Sequence, residues 1–266
     1  MTKSLEDLGD IARRAVELAA ELVRTSTPHQ ITEKSDRDTV TDVDVKVEQE
    51  VRAFLSRETP GYGFLGEEEG QVGDEVNMWT LDPIDGTSNF AHGLPLCAVS
   101  LALVREGWPI VAEITAPLLG LRYSAIRGEG AFANSTRMHA SRTAELSKAI
   151  VSIGDYAVGE GAKAKNERRL RLTALLAERV ERVRMFGSAA IDLAWVAEGR
   201  TDATVMLANK PWDTAAGVLI AREAGALAFD SAGDPHTPRS SATIVAAAGI
   251  ADAVASVVQQ APGQTV

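Results

Sequence analysis

The sequence has little of several features that would point to other classes of protein. Its single cysteine, Cys97, excludes an internal disulfide and a cage of thiolate metal ligands, and an apolar neighbourhood predicts that it is buried. The longest apolar runs, such as 97–104, have strand length and fall far short of the roughly 20 residues of a membrane span. The first residues lack the basic segment and continuous apolar stretch of a signal peptide. We therefore expect a cytoplasmic globular protein with no membrane partner.

Positive charge is also scarce. The 266 residues include 37 acidic and 27 basic side chains, which gives a net charge of −10. This excess argues against a nucleic-acid partner, because nucleic-acid binders normally present a basic face. An acidic protein that handles an anion needs cations to help it, so metal ions are the first partners to expect.

Hydrophobic periodicity divides the chain into two halves with a soft boundary near residue 147. In residues 1–147, amphipathic helices precede short apolar runs that predict an antiparallel or mixed sheet. In residues 148–266, strands and helices alternate, which is typical of a layered α/β unit. The predicted fold class is therefore α/β, or α+β, with two closely packed halves that share a cleft.

The same periodicity places the individual elements. Helices are predicted at 5–22, 42–56, 166–180, 188–198, 212–224 and 250–260. Strands are predicted at 78–82, 97–104, 109–115, 121–126, 149–154, 182–186, 202–207, 226–230 and 243–248. Ser188 is expected to cap the start of one helix, and Gly225 to end another.

Two carboxylates in the segment WTLDPIDGTSNF, residues 79–90, form a candidate metal site. An apolar strand leads into Asp82, Pro83 fixes φ, and Asp85 follows three residues after Asp82. A tight turn here can aim both carboxylates to one side. Asp, Pro and Gly are also the commonest turn formers, so the spacing alone fits a solvated turn equally well.

The neighbours of these aspartates extend the metal-site hypothesis. The carbonyl of Ile84 adds a third oxygen, and the backbone amides of Gly86 and Thr87 are available to bind an anion. Carboxylates beside anion-binding amides make chemical sense if a hard cation such as Mg²⁺ bridges them to a phosphate.

Other carboxylates also fit an oxygen-lined site. They are Glu67, Glu68 and Glu69 in LGEEEG, Asp42 and Asp44 in TDVD, and Asp213 in KPWDTAAG. Each has an ordinary interpretation as well, because aspartates cap helices and acidic runs form solvated loops. No metal-ligand spacing relates the four histidines, which are His29, His92, His139 and His236.

Four segments, taken together, resemble the inositol monophosphatase family. They are GEE at 66–68, WTLDPIDGTSNF at 79–90, GSAAIDLAWVAEGRTDA at 187–203 and WDTAAG at 212–217. They occur in the family's order, and the resemblance covers nearly the whole chain. It implies a metal-dependent, lithium-sensitive sugar phosphatase with a layered αβαβα fold, a site between the two halves, and usually a homodimer.

The resemblance also implies roles for individual residues. Two or three Mg²⁺ ions per site would be held by Glu67, Asp82, the Ile84 carbonyl, Asp85 and Asp213, with Asp82 bridging two of them. Gly86 and Thr87 would hold the phosphate, Asp44 would orient Thr87, and Lys34 resembles a nearby basic residue. A water that Glu67 and Thr87 position, activated by Mg²⁺, would then attack phosphorus in line, without a covalent phosphoenzyme.

The substrate is less sharply indicated. Inositol-selective members commonly carry a substrate-binding glutamate seven residues before the WD aspartate, and here that position is Met206. The segments DGTSNFAHG and GSAAIDL are nevertheless of the inositol type, and they place Ala189 and Asp192 nearest the substrate, beside Asp85. We expect an inositol monophosphatase, with histidinol-phosphate phosphatase and then fructose-1,6-bisphosphatase as alternatives. A non-catalytic module that binds metal and phosphate is the alternative of another class.

Overall fold

The computed structural model describes residues 3–28, 30–35 and 38–261, which contain seven α-helices and fifteen strands. The helices are α1 (Leu5–Thr25), α2 (Asp42–Glu58), α3 (Thr87–Ala91), α4 (Ala162–Ala177), α5 (Ala189–Glu198), α6 (Pro211–Glu223) and α7 (Ala251–Gln259). The strands are β1 (Ile31–Ser35), β2 (Asp38–Thr41), β3 (Gly63–Gly66), β4 (Gly70–Val72), β5 (Asn77–Asp85), β6 (Ala98–Arg105), β7 (Trp108–Ala116), β8 (Leu121–Ile126), β9 (Gly130–Ala133), β10 (Thr136–Met138), β11 (Ile150–Ile153), β12 (Arg182–Arg184), β13 (Ala203–Met206), β14 (Leu227–Phe229) and β15 (Thr243–Ala246).

Every helix and strand predicted from the sequence is present, with ends displaced by at most four residues. The largest displacement is at α4, which begins at Ala162 rather than 166 because Gly161, with φ of 72°, turns the chain into the helix. The sequence analysis missed α3, the β1–β2 hairpin and the short strands β3, β4, β9 and β10. These strands have three to five residues each, so hydrogen bonding to a neighbouring strand decides them more than local periodicity does.

Strong N-terminal caps fix the two helices of the first half. Ser4 and Asp7 form a capping box at α1, and Thr41 and Asp44 form another at α2. The apolar stripes of both helices pack against one face of the large sheet and form a continuous core with Trp79.

That large sheet has eight strands in the order β10-β9-β8-β7-β6-β5-β3-β4. All neighbours are antiparallel except β3 and β5, which run parallel and pair Gly66 with Leu81. Because the two strands run in the same direction, Glu67, which follows β3, and Asp82, which follows Leu81 within β5, are brought close together.

The remaining elements complete five layers. A five-stranded sheet, ordered β12-β11-β13-β15-β14, begins at Ile150, whereas the eight-stranded sheet ends at Met138. Helices α5 and α6 pack between the two sheets, and α4 and α7 contact elements of the smaller one. The order helix, sheet, helix, sheet, helix is the αβαβα arrangement that was predicted. Helices α5 and α6 contact strands of both sheets, and the division of the chain near residue 147 stays a prediction.

Within the described part of the chain, no helix combines the length and apolar character that crossing a bilayer requires. Cys97 is fully buried, as predicted. Ser188 caps α5 by accepting a hydrogen bond from the amide of Ile191, and Gly225 follows the end of α6 with φ of 90°.

Candidate active site

A bulge in β5 aims its two aspartates. Asp82 pairs with Ser100 and Asp85 with Ala98, so three steps along β5 oppose two along β6. Pro83 lies in the bulge, where its missing amide costs no regular ladder bond. Both carboxylates are buried, since the exposed fraction of Asp82 is 2% and that of Asp85 is 8%.

One cavity of about 240 Å³ collects most of the residues selected from the sequence. Its lining includes the carboxylates Glu67, Asp82, Asp85 and Asp213, the turn residues Ile84, Gly86 and Thr87, and the substrate-side candidates Ala189, Asp192 and Met206. These residues come from both halves of the chain, so the cavity lies in a cleft between them.

Asp82 lies in an environment that disfavours its charged form. Burial raises the pKa of its carboxyl well above the usual value, and the nearby charges of Asp85 and Glu67 raise it further. Its Oδ1 atom is buried without a hydrogen-bond partner. A buried carboxylate oxygen that no donor satisfies is costly unless a cation meets it.

Asp85 is also buried, but the protein satisfies its charge. Its Oδ1 accepts a hydrogen bond from the amide of Ala189 (3.1 Å), and its Oδ2 accepts from the amide of Ala190 (2.8 Å) and the hydroxyl of Ser188. These donors belong to the start of α5, where the helix dipole also favours a negative charge. Burial still dominates and raises the pKa of Asp85 to about 6, although these hydrogen bonds oppose the shift.

Asp213 lies in the first turn of α6, where its Oδ2 accepts a hydrogen bond from the backbone amide of Lys210 at 2.7 Å. The residue thus caps its helix, as the ordinary interpretation of the sequence proposed, and also lines the cavity. Burial and the charges of Asp85 and Glu67 raise the pKa of Asp213 to about 7.

Gly86 and Thr87 form the turn between β5 and α3. Gly86 has φ of 86°, and a Cβ atom there would lie 2.8 Å from the carbonyl oxygen of Leu96, so only glycine fits without displacement. The first donor within α3 is Phe90, which bonds to the Gly86 carbonyl. The amides of Gly86 and Thr87 are therefore not used by the helix and lie at its positive end.

Asp44 fixes the Thr87 hydroxyl. Thr87 Oγ1 lies 3.0 Å from Asp44 Oδ1 and 2.9 Å from the carbonyl oxygen of Ile84, both of which are acceptors. The other oxygen of Asp44 accepts from the amide (3.0 Å) and hydroxyl (2.5 Å) of Thr41. Although Asp44 does not line the cavity, the structure thus brings it to Thr87, as the sequence analysis expected. Burial raises the pKa of Asp44 in spite of these hydrogen bonds.

The substrate-side candidates differ in chemistry. Met206 is 3% exposed at the end of β13, and its neighbours Leu207 and Ala208 extend an apolar wall. Asp192 is buried on α5, which raises the pKa of its carboxyl well above normal, and its Oδ1 has no hydrogen-bond partner. Ala189 supplies its backbone amide to Asp85.

Several candidate site residues do not line the cavity or do not belong to the described part of the chain. The side chain of Lys34 and all of His29 lie outside the described residues. Glu69 hydrogen-bonds to Gln49 and Arg52 of α2 and does not line the cavity. Of the described histidines, His92 and His139 are exposed, and His236 is buried and paired with Thr243.

The sequence analysis missed Glu48, which shapes the loop that carries Glu67. Glu48 is fully buried on α2, and its two oxygens accept hydrogen bonds from the amides of Glu68 (2.9 Å) and Glu69 (2.7 Å). A Cβ atom on Gly66 would lie 2.2 Å from this carboxylate, so glycine allows its approach. The sequence does contain a signal that Glu48 is buried. Asp44 and Glu48 fall four residues apart, on the same helical face as the buried Val51 and Leu55.

Two more lining residues, Asp155 and Arg169, were also missed. Asp155 follows β11 and is exposed, whereas Arg169 is half-buried on α4. Nothing in the local pattern of α4 shows which of its several arginines faces a cleft.

Comparison with known proteins decides the family. The model of the inositol monophosphatase family matches residues 4–262. The chain belongs to this family of phosphatases. The inositol-1-monophosphatase of Caulobacter vibrioides is 39% identical to it over 220 residues, which cover 81% of this chain and 85% of that protein. A Nus factor SuhB of Xylella fastidiosa is 37% identical over 233 residues, 88% of this chain and 81% of that protein.

Solved structures of the family agree with the fold. An inositol monophosphatase of Thermotoga maritima superposes with a TM-score of 0.87 at 30% identity, and covers 95% of this chain and 96% of its own. The suppressor protein SuhB of Bartonella henselae gives 0.88 at 32% identity, with 94% and 98% covered.

Members of the inositol monophosphatase family use divalent metals, and the donor set of this chain fits such an ion. All the side chains concerned offer hard carboxylate oxygens, and Asp82 Oδ1 has no protein donor. Among residues 3–28, 30–35 and 38–261, no three side chains close into a compact metal cage. Mg²⁺ usually keeps several waters and takes only one or two carboxylates together with substrate oxygens, so an open arrangement suits it.

Proposed function

We propose that this inositol monophosphatase family member hydrolyses a small phosphate monoester of the inositol phosphate type, with Mg²⁺ as its cofactor. The observation that carries the proposal is the buried, unpartnered oxygen of Asp82 at a cavity that five further carboxylates line, among them Glu67, Asp85 and Asp213. Gly86 and Thr87 belong to the same lining, and their backbone amides would bind the anion. Carboxylates and anion-binding amides in one cavity suit a site in which cations link the protein to a phosphate group.

In this proposal the metal ligands are those named from the sequence: Glu67, Asp82, the carbonyl of Ile84, Asp85 and Asp213. A divalent cation bound there would lower the pKa of a water and offset the negative charge of the phosphate. Two or three ions per site and a homodimer remain predictions from the family resemblance.

The chain's own groups would orient the reaction. Because Thr87 Oγ1 donates its proton to Asp44 or to the Ile84 carbonyl, its lone pairs can accept a hydrogen from an attacking water. Glu67 would hold the same water from the other side. The amides of Gly86 and Thr87 would hold two phosphate oxygens, so that the P–O bond to the leaving alcohol lies in line with the water.

The nature of the leaving alcohol is the open part of the proposal. Relatives named inositol-1-monophosphatase favour an inositol phosphate. Met206, in place of a substrate-binding glutamate, keeps histidinol phosphate and fructose 1,6-bisphosphate as alternatives. A panel of these esters and adenosine 3′,5′-bisphosphate, compared by kcat/KM, distinguishes them.

The substitution Asp82→Asn tests the proposal directly. It keeps the shape of the side chain but removes the charge that a cation would meet. We expect Mg²⁺-dependent phosphate release to fall at least about 100-fold. Asp252→Asn, at an exposed position on α7, serves as the control and should retain full activity.

Circular dichroism and urea unfolding would verify that both variants are folded. A folded Asp82→Asn protein with near wild-type turnover would sink the proposal. If the wild-type chain instead bound Mg²⁺ and inositol phosphate but released phosphate from no ester of the panel, the non-catalytic binding module would replace the phosphatase.

A further inference from the structure

A second cavity, of about 260 Å³, lies between the large sheet and α6. Strand β5 contributes Met78 and Thr80 to its lining, and α6 contributes Thr214, Val218 and others. Among the described residues, none lines both this cavity and the active-site cavity. The second cavity is therefore a separate candidate site.

Thr80 brings an unsatisfied hydroxyl to this cavity. Trp79 and Leu81 belong to the core under α1 and α2, so Thr80 between them faces the opposite side of the sheet, where α6 packs. Its hydroxyl oxygen is buried and has no hydrogen-bond partner in the described part of the chain. A buried hydroxyl without a partner is costly, and a water or a polar ligand group relieves that cost. The rest of the lining decides which ligand fits.

Much of the lining is apolar and flat. Trp108, which is 41% exposed, and three prolines, Pro109, Pro211 and Pro238, present ring surfaces to the cavity. A planar ring packs against such surfaces with many close contacts. The volume is slightly below the usual range for drug-sized ligands, so it suits one aromatic ring with its substituents.

Arg222 gives this cavity a positive charge. Its guanidinium carbon lies 6.0 Å from the ring centroid of Trp108, and its Nη2 donates to the carbonyl oxygen of His236 at 2.6 Å. Both neighbours line the cavity. Among the described residues, no carboxylate lies within salt-bridge distance of this guanidinium. Burial and the charge of Arg127 lower the pKa of Arg222, but an arginine stays protonated because its intrinsic pKa is above 12.

The other titratable groups of the lining leave this charge available. Glu75 is the only carboxylate among the described lining residues, and it is exposed, so water and salt screen it. The ring of His236 is buried beside Arg222, which lowers its pKa to about 4 and keeps it neutral. A planar guanidinium binds a carboxylate through two parallel hydrogen bonds, so a carboxylate is the group that suits Arg222.

The two polar groups lie at different levels of the cavity. The end of β5 and the start of α6 meet at the active-site cavity, where Asp82 and Asp213 belong to one lining. Thr80 lies only two residues before Asp82, whereas Arg222 lies nine residues after Asp213, roughly 13 Å along the helix. A ligand that meets both therefore needs polar groups on opposite sides of its ring.

We propose that this cavity binds a small aromatic carboxylate that also carries a hydroxyl group. The carboxylate pairs with Arg222, the ring packs against Trp108 and the prolines, and the ring hydroxyl hydrogen-bonds to Thr80. The site is separate from the proposed site of phosphate hydrolysis, so the inference does not depend on the proposed function.

Calorimetry with 4-hydroxybenzoate and metal-free, full-length protein tests the proposal. Two analogues serve as matched controls, because 4-hydroxybenzamide lacks the charge and benzoate lacks the hydroxyl. We expect 4-hydroxybenzamide to bind about 10- to 100-fold more weakly than 4-hydroxybenzoate, which is the loss of a hydrogen bond between charged groups. Benzoate should bind about 3- to 10-fold more weakly, which is the loss of a neutral hydrogen bond.

Two substitutions assign these preferences to residues. Arg222→Gln keeps a donor for the His236 carbonyl but should remove the preference for the carboxylate over the amide. Thr80→Val should remove the preference for 4-hydroxybenzoate over benzoate, without loss of stability in urea, because its hydroxyl has no partner to lose. Thr204→Val deletes an equally buried, unpartnered hydroxyl on β13, and Arg171→Gln deletes an exposed charge on α4, so neither should change binding.

The outcomes separate this inference from the proposed function. The inference is overturned if wild-type protein does not bind 4-hydroxybenzoate at about 10 mM, or if it binds the amide as tightly. It is also overturned if Arg222→Gln and Thr80→Val both keep the wild-type preferences. Phosphate release from inositol 1-phosphate with Mg²⁺ is measured on the same wild-type protein, and its absence would count against the proposed function alone.

Discussion

Replacing Glu48 by glutamine tests how the protein positions Glu67 without touching any lining residue. The Glu48 carboxylate accepts hydrogen bonds from the amides of Glu68 and Glu69, at 2.9 and 2.7 Å, directly after Glu67. Glutamine keeps one acceptor oxygen but turns an NH₂ group toward the second amide. One charge-assisted hydrogen bond is lost and a donor faces a donor.

The expected change in stability combines the hydrogen bond that is lost with the cost of charge burial that is removed. A hydrogen bond to a charged group contributes roughly 1.5–3 kcal/mol. Burial raises the pKa of Glu48, so removing its charge returns part of that free energy. We expect the free energy of unfolding to fall by about 1–2 kcal/mol. Glu69 stays tied to α2 through Gln49 and Arg52, so the loop should shift rather than unfold.

The functional effect should exceed the effect on stability. A displacement of about 1 Å at a positioning group can cost about 100-fold in rate. We therefore expect kcat/KM to fall about 10- to 100-fold and half-maximal activity to require more Mg²⁺. Glu50→Gln, on the exposed face of α2, is the matched control. Urea unfolding and a Mg²⁺ titration of phosphate release measure both quantities, and a Glu48→Gln protein that matched the control in both would refute the reasoning.

Two further predictions concern a turn and a buried acid. Gly86→Ala would place a Cβ atom 2.8 Å from the Leu96 carbonyl oxygen at φ of 86°, so stability should fall by about 1–3 kcal/mol with loss of activity. Gly93→Ala, with φ of 73° and open space, bears only the backbone penalty, and equal losses in both variants would contradict the steric argument. Burial raises the pKa of Glu113 from 4.5 to about 8, so the folded state keeps a proton that the unfolded chain has lost. The free energy of unfolding should then fall as pH rises across that window. Glu113→Gln should remove about 3.5 kcal/mol of the fall between urea melts at pH 5 and pH 8, whereas an unchanged slope would count against it.

The helices and strands that could be predicted are those whose pattern lies within their own residues. Apolar stripes predicted α1 and α2, and alternating strands and helices predicted the layered second half. The ligand candidates at 82, 85 and 213 were visible for the same reason, because turn formers and a helix start mark them within a few residues. The family order of the motifs then connected segments that no local pattern relates.

Features that depend on distant partners were not predictable in this way. The parallel pairing of β3 with β5 brings Glu67 to Asp82, yet neither strand shows its partner in its own residues. Arg169 lies on a helix with a weak apolar face, and only the packing of α4 beside the cleft turns it toward the cavity. Glu48 was identifiable as buried from its helical face, but its two amide partners lie about 20 residues away.

Asp82 and Asp85 differ in the hydrogen-bond donors that they meet. This difference shows why the motif alone could not distinguish a metal site from a turn. The two residues lie on one strand, three apart, and both are buried. Asp85 meets three donors at the start of α5, a helix from the other half of the chain, so the protein itself stabilises its charge. Asp82 has an oxygen that meets none. A solvated turn would leave both carboxylates in water, and a purely structural turn would satisfy both with donors. The fold satisfies one carboxylate and leaves an oxygen of the other without a donor beside it. Neither turn explains this difference, so it supports the proposed metal site.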